Sequence, residues 1–128
     1  MKYNILDKNI FTKRYIFLPT GATIEKLFAK VQPKFSRHSM IIPVDERITH
    51  NPDLKNLNKI HKMVGNKANI VPLARHLLRH PEQSCVILSV AEDFHFASIF
   101  PQKGDLNKRG YLINTQSSEP KINRTSIG

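Results

Sequence analysis

Short apolar runs, each soon cut off by proline or by polar residues, set the limits on what this chain can build. Tyr15-Ile16-Phe17-Leu18 is closed by Pro19-Thr20-Gly21. Met40 to Val44, Ser84 to Val90 and Tyr111 to Ile113 are further runs of the same kind. Each has the length of a strand and is too short for a buried helix. Between them lie two helical patterns. Thr23 is placed to cap a helix in which Ile24, Leu27, Phe28 and Val31 fall on one face, with Glu25, Lys26 and Lys30 on the other and Pro33 beyond its end. Asn69 to His80 has the more regular pattern. Asn69 is placed as a cap, Pro72 falls in the first turn, and Ile70, Leu73, Ala74, Leu77 and Leu78 recur at helical spacing. Arg75, His76, Arg79 and His80 cover its opposite face.

The remaining segments fill in the order. Thr49 to Asn56, with Pro52, reads as a loop, and Lys59 to Val64 alternates loosely as a strand stopped by Gly65-Asn66. The seven-residue segment Ser84 to Val90, with Cys85 to Leu88 apolar, reads as a central strand buried on both faces. Phe94 to Phe100 reads as a short helix or strand, Pro101 to Arg109 as a loop, and Gly110 to Gln116 as a last strand. Ser117 to Gly128 is polar, contains Pro120, and reads as a flexible tail. The predicted order is helix, strand, strand, helix, strand, short helix, strand. It lacks the long βαβ alternation of a doubly wound sheet and points to an α+β domain.

The chain has 128 residues, 40% of them hydrophobic, which is enough for one domain with its own core. A domain of this size buries about two-thirds of its unfolded surface, so no disulfide or metal staple is required. The single cysteine, Cys85, sits inside an apolar run and reads as a small buried hydrophobe. The sequence offers no secretory h-region and no apolar stretch near the roughly 20 residues of a membrane span, so a cytoplasmic location is expected. Lysine and arginine number 20 against 10 acidic residues, a formal charge of +10. Residues 1–47 carry nine basic and four acidic side chains, residues 48–80 six and one, and residues 81–128 five of each. The excess therefore lies in the first two-thirds, and it predicts attraction to polyanions.

Candidate chemistry is sparse. His76 and His80 stand four apart, but the arginines beside them repel a cation and no third ligand is evident, so a solvated basic face is expected rather than a metal site. His95 and Asn114 could form part of a cysteine hydrolase, yet Cys85 lies mid-strand, away from a helix N-terminus that would favour its thiolate. The five glycines are isolated, and no carboxylates are paired at a spacing that suggests acid/base work. Binding without catalysis is the expectation, with no cofactor. A basic α+β domain that holds nucleic acid through Arg75, Arg79 and the N-terminal lysines is the alternative.

Several short matches carry a resemblance. Ile24-Glu25-Lys26 opens a helix, Lys34-Phe35-Ser36-Arg37 follows, and then Ile42-Pro43-Val44. Leu57-Asn58-Lys59-Ile60-His61-Lys62-Met63-Val64, Asn69 to His80, Glu82-Gln83-Ser84 with the run to Val90, Gly110-Tyr111-Leu112 and a terminal Gly128 complete the series. Over residues 24–119 this resembles the autophagy ubiquitin-like modifiers of the GABARAP type. The resemblance implies a ubiquitin-like β-grasp with an additional N-terminal helix or extension: an extension over 1–21, the ubiquitin-like domain over 22–116 and the tail over 117–128.

It also implies a function. Gly128 would be conjugated to phosphatidylethanolamine or to a protein, which places the chain in the cytoplasm and, once lipidated, on the autophagosomal membrane. The partners would be the conjugation enzymes and peptide motifs of autophagy receptors, added as a strand to an open sheet edge. Ile42, Pro43, His61, Met63 and Tyr111 would form one peptide pocket. Lys62, Val64, Leu73 and Leu77 would form the other.

Overall fold

The computed structural model of the protein describes residues 11–65, 68–90, 97, 111–116 and 123–127, with the side chains of 111–116 and 123 set aside. The first strand, β1 (Tyr15–Leu18), is buried along its whole length. Ile16 and Leu18 pack on one face with Phe11, Ile24, Phe28, Ile41 and Ile60, while Tyr15 and Phe17 pack on the other with Ile42, Val44, Leu73 and Leu77. Successive side chains of a strand point to opposite faces, so a strand covered on both sides must be apolar at every position. That is why Tyr15 to Leu18 is an unbroken apolar run.

Helix α1 (Ala22–Val31) follows β1 and buries Ile24 and Phe28. It carries the chain back to β2 (Met40–Pro43), which pairs parallel with β1 from Tyr15↔Met40 to Leu18↔Pro43. After Val44 comes β3 (Asp45–Arg47), then helix α2 (Asn56–Val64) and the short β4 (Asn69–Ile70), parallel to β2. Strand β5 (Ser84–Val86) lies parallel to β1 on its other side. The four parallel strands thus stand in the order β4-β2-β1-β5. The chain runs outward from β1 to β4 and then returns to the opposite side of β1.

A second sheet joins β3 to β7 (Asn123–Ile127) and β7 to β6 (Tyr111–Gln116), all antiparallel. Val44 is the junction between the two sheets. Its N–H donates to the Leu18 carbonyl at 2.9 Å and its carbonyl accepts from the Ile127 N–H at 3.0 Å.

This architecture corrects the expected fold. The four-stranded sheet is parallel throughout and α1 is a β-α-β crossover, so the domain is α/β and not a ubiquitin-like β-grasp. Residues 59–64 belong to α2 and not to a strand. Ile60 is fully buried under that helix, with Met63 and Val64 packed beside it, a spacing that loose alternation in the sequence concealed. Asn69 to His80 is not an α-helix. Asn69 and Ile70 pair with Met40 and Ile41, Pro72 holds Val71 away from helical geometry, and only a 3-10 turn forms, at Arg75–Arg79.

Strand β5 is an edge among the described residues and not a central strand, with Val86 46% and Val90 62% exposed. Asn123–Ile127, expected within a tail, forms the middle strand of the second sheet, with Arg124 and Ser126 buried. Tyr15–Leu18, expected within an extension, is the strand on which the first sheet is assembled.

Candidate functional site

An open cleft of about 1230 Å³ lies beyond the C-terminal ends of β1 and β2. Its wall is built from the loop Pro19 to Gly21 with the first turn of α1, from Asp45 and Arg47 of β3, from Asn56, Lys59 and Lys62 of α2, and from Arg124 of β7. Ser89, Val90 and Ala97 line it beyond β5. In open α/β sheets ligands bind in the crevice where the strand order reverses, and here β1 is that point, with β2 and β5 on its two sides.

The loop that turns β1 into α1 is shaped for an anion. Gly21 sits at φ 121° and ψ 169°, a backbone conformation that disfavours any side chain. It supplies no cap, and no side chain caps the helix, so the first-turn N–H groups of Ala22 and Thr23 are left to whatever enters the cleft. The positive end of a helix dipole favours a negative ligand at this position. Exposed Glu25 stands in the same first turn.

Four basic side chains, Arg47, Lys59, Lys62 and Arg124, face the same space. Burial first, and then the nearby Arg47 guanidinium, push the Lys59 ammonium below the usual lysine range. Burial and then Arg47 likewise lower Arg124. The Arg47 Nε is buried and has no hydrogen-bond partner among the described residues. The Glu46 carboxylate offsets part of the Lys59 charge and also holds backbone N–H groups. Its Oε1 accepts from the backbone N–H of Asn56 at 2.6 Å and of Arg47 at 2.8 Å, and its Oε2 accepts from the Leu57 N–H at 2.8 Å. Glu46 therefore caps α2 from outside the helix. Asp45 offsets part of the charge of Lys59 and Arg124. Four basic side chains line the cleft against Glu25, Asp45 and Asp53, so the lining keeps a slight positive excess for a phosphate or carboxylate.

A hydrogen-bonded bridge crosses the floor. The Thr20 hydroxyl donates to the Asn56 Oδ1 at 3.1 Å. The Asn56 Nδ2 donates to the Asp45 carbonyl at 3.0 Å and to its Oδ1 at 3.1 Å.

The structure scatters the residues expected to bind a peptide. Ile42 and Pro43 are fully buried in β2, with no surface to offer. Leu73 and Leu77 are core residues on the opposite face of the sheet from α2. Met63 and Val64 pack against the core from α2. His61 and Lys62 are exposed on that helix, and Lys62 alone of these also lines the large cleft with Met63 and Val64. Tyr111 opens β6, and Gly128 lies outside the described residues. A helix over 56–64 has no free strand edge to accept an added peptide strand, so edge-strand peptide binding at Lys62 to Val64 is withdrawn.

Cys85 lies on half-buried β5, where burial pushes its thiol up, against the activation a nucleophile needs. His95 lies outside the described residues. Sequence reading missed Thr20, Gly21, Asp45, Arg47, Asn56, Lys59 and Arg124. The available signal was an apolar strand, a single glycine and an immediate helix start, which is the unit that places an anion on a helix N-terminus.

No family model matches the chain, and no curated protein matches it. Solved structures do. It is similar to a 6-phosphogluconolactonase from Shewanella baltica OS155, at 20% identity and a TM-score of 0.71, over 91% of this chain and 61% of that one. A 6-phosphogluconolactonase from Thermotoga maritima matches at 22% identity and a TM-score of 0.70, over 90% and 63%. A devB protein matches at 19% and 0.68, over 91% and 62%. The chain has a 6-phosphogluconolactonase-like α/β fold.

It spans about three-fifths of the length of those structures. The likeness overturns the resemblance to autophagy modifiers, and with it conjugation through Gly128, a lipidated form, and autophagy receptors or conjugation enzymes as partners. The expectations of binding without catalysis and of a nucleic-acid domain are withdrawn too, because the structures that share this fold are named as lactonases.

Proposed function

We propose that the cleft takes a phosphorylated sugar lactone and opens its ring with water. The observation that carries this reading is the uncapped N-terminus of α1 at Gly21, set in one cleft with Arg47, Lys59 and Arg124. A phosphate monoester is the small-molecule group that best satisfies a helix N-terminus and clustered cations together. The reaction class is borrowed from the named activity of the structures that share the fold.

Ring opening requires a base. A water oxygen bonds to the lactone carbonyl carbon as the base takes a proton from the water. The ring carbon–oxygen bond then breaks, the departing oxygen takes the proton back from the base to become a hydroxyl, and the new carboxylic acid gives its own proton to solvent as it becomes a carboxylate. Cationic groups in a cleft stabilise the oxyanion formed on the way.

The test is base uptake in a pH-stat with a 6-phosphorylated sugar lactone and with the same lactone lacking phosphate. Faster turnover of the phosphorylated lactone, lost in Lys59→Ala, is expected. Equal rates on both lactones, or no rate above the spontaneous one, would overturn the reading.

A further inference from the structure

We infer that Asn56 is the positioning residue of this cleft, a latch that holds the anion-binding loop to the strand bearing Asp45 and Arg47. The inference rests on the reading of the cleft as a phosphate site.

Asn56 is 4% exposed and every polar group of its side chain is engaged across elements. Its Oδ1 receives the Thr20 hydroxyl from the β1–α1 loop, and its Nδ2 donates to two oxygens of Asp45 on β3. Its own backbone N–H is fixed by the Glu46 carboxylate. One side chain therefore ties together three segments distant in sequence: Thr20 beside the helix N-terminus, Asp45 two residues before Arg47, and the start of the helix that carries Lys59 and Lys62. An amide suits this place, because it accepts on one side and donates twice on the other. An aspartate in its place would set a second carboxylate against Asp45, and an alanine would leave the loop unattached.

The geometry of a phosphate site depends on the distance between the helix N-terminus and the cations that close over the anion. The loop has no anchor of its own at Gly21, which carries no side chain, so the Thr20–Asn56 bond is the side-chain tie that sets its place relative to β3. Loss of the latch relaxes that distance. Phosphate affinity falls, and on the proposed reaction KM rises more than kcat changes.

The experiment measures inorganic phosphate affinity by calorimetry, thermal unfolding, and lactone turnover for the wild type, Thr20→Val, Asn56→Ala and the double variant. A lost hydrogen bond in a positioning network amounts to about a tenfold weaker Kd. If Thr20 acts through Asn56, the double variant binds phosphate no more weakly than Asn56→Ala alone. Thr20→Val is close to isosteric, so it keeps the inference testable should Asn56→Ala fail to fold. Unchanged phosphate affinity in Thr20→Val overturns the latch, and so do additive losses in the double variant, which mean that Thr20 holds the anion by itself. A wild type that binds phosphate through the latch but hydrolyses no lactone overturns the proposed reaction and leaves the latch standing.

Discussion

Replacing Glu46 by glutamine tests how the cleft is built. The Glu46 carboxylate accepts three backbone N–H groups, two of them at the start of α2. A glutamine amide keeps one acceptor oxygen and replaces the other with a donor, so at least the bond to the Leu57 N–H or those to Asn56 and Arg47 must be lost. A hydrogen bond to a charged group is worth about 1.5–3 kcal/mol and a carboxylate near a helix N-terminus adds about 0.3–1 kcal/mol. Water reaches this half-buried site and recovers part of the loss. The expected destabilisation is about 2 kcal/mol, a fall in Tm on the order of 6–10 °C for a domain of this size. Urea unfolding with an unchanged m-value is the assay. A Glu46→Gln variant within about 0.5 kcal/mol of wild type, the range of ordinary surface changes, would refute the claim that Glu46 caps α2.

Three further outcomes follow from the same geometry. Gly21→Ala has open space for its methyl group, yet φ of +121° strains it, so a loss of about 1–3 kcal/mol in urea unfolding is expected, with weakened phosphate binding. Lys59 holds its proton less tightly folded than unfolded, so its charge costs stability in full below its lowered pKa. Stability rises as pH climbs from there towards 10.5, and an anion in the cleft should raise that pKa in an NMR titration of the lysine side chain. The Ile127 amide, which donates to Val44, should exchange with solvent orders of magnitude more slowly than an amide in a free tail.

Where the sequence was legible, local and tertiary preferences agreed. Tyr15 to Leu18, Met40 to Val44 and the helix after Gly21 stand close to where the apolar pattern puts them, because each buries its apolar residues in the core. The reading failed where distant pairing decided the backbone. Asn69 and Ile70 are drawn into extended form by Met40 and Ile41, which no local pattern announces. Asn123 to Ile127 looks like a polar tail because its partners, Asp45 to Arg47, are nearly eighty residues away in sequence and equally polar. The same distance hid the cleft. Thr20, Asp45, Asn56 and Arg124 are unremarkable singly, and they acquire a role only once β1, β3, α2 and β7 converge. Residues 56–64 do carry Leu57, Ile60, Met63 and Val64 at helical spacing, but no local cap marks the start, since the cap for that helix is Glu46, ten residues before it and on another element.

The central claim is that the crevice above β1 holds a phosphorylated ligand on the N-terminus of α1. Titration of the amide NMR spectrum with a phosphorylated sugar acid, and with the same acid lacking phosphate, tests it most directly. The account predicts saturable shifts at Gly21, Ala22 and Thr23 together with Arg47, produced by the phosphorylated acid and not by its partner. Shifts confined to residues outside the cleft, or equal shifts with both acids, would contradict it.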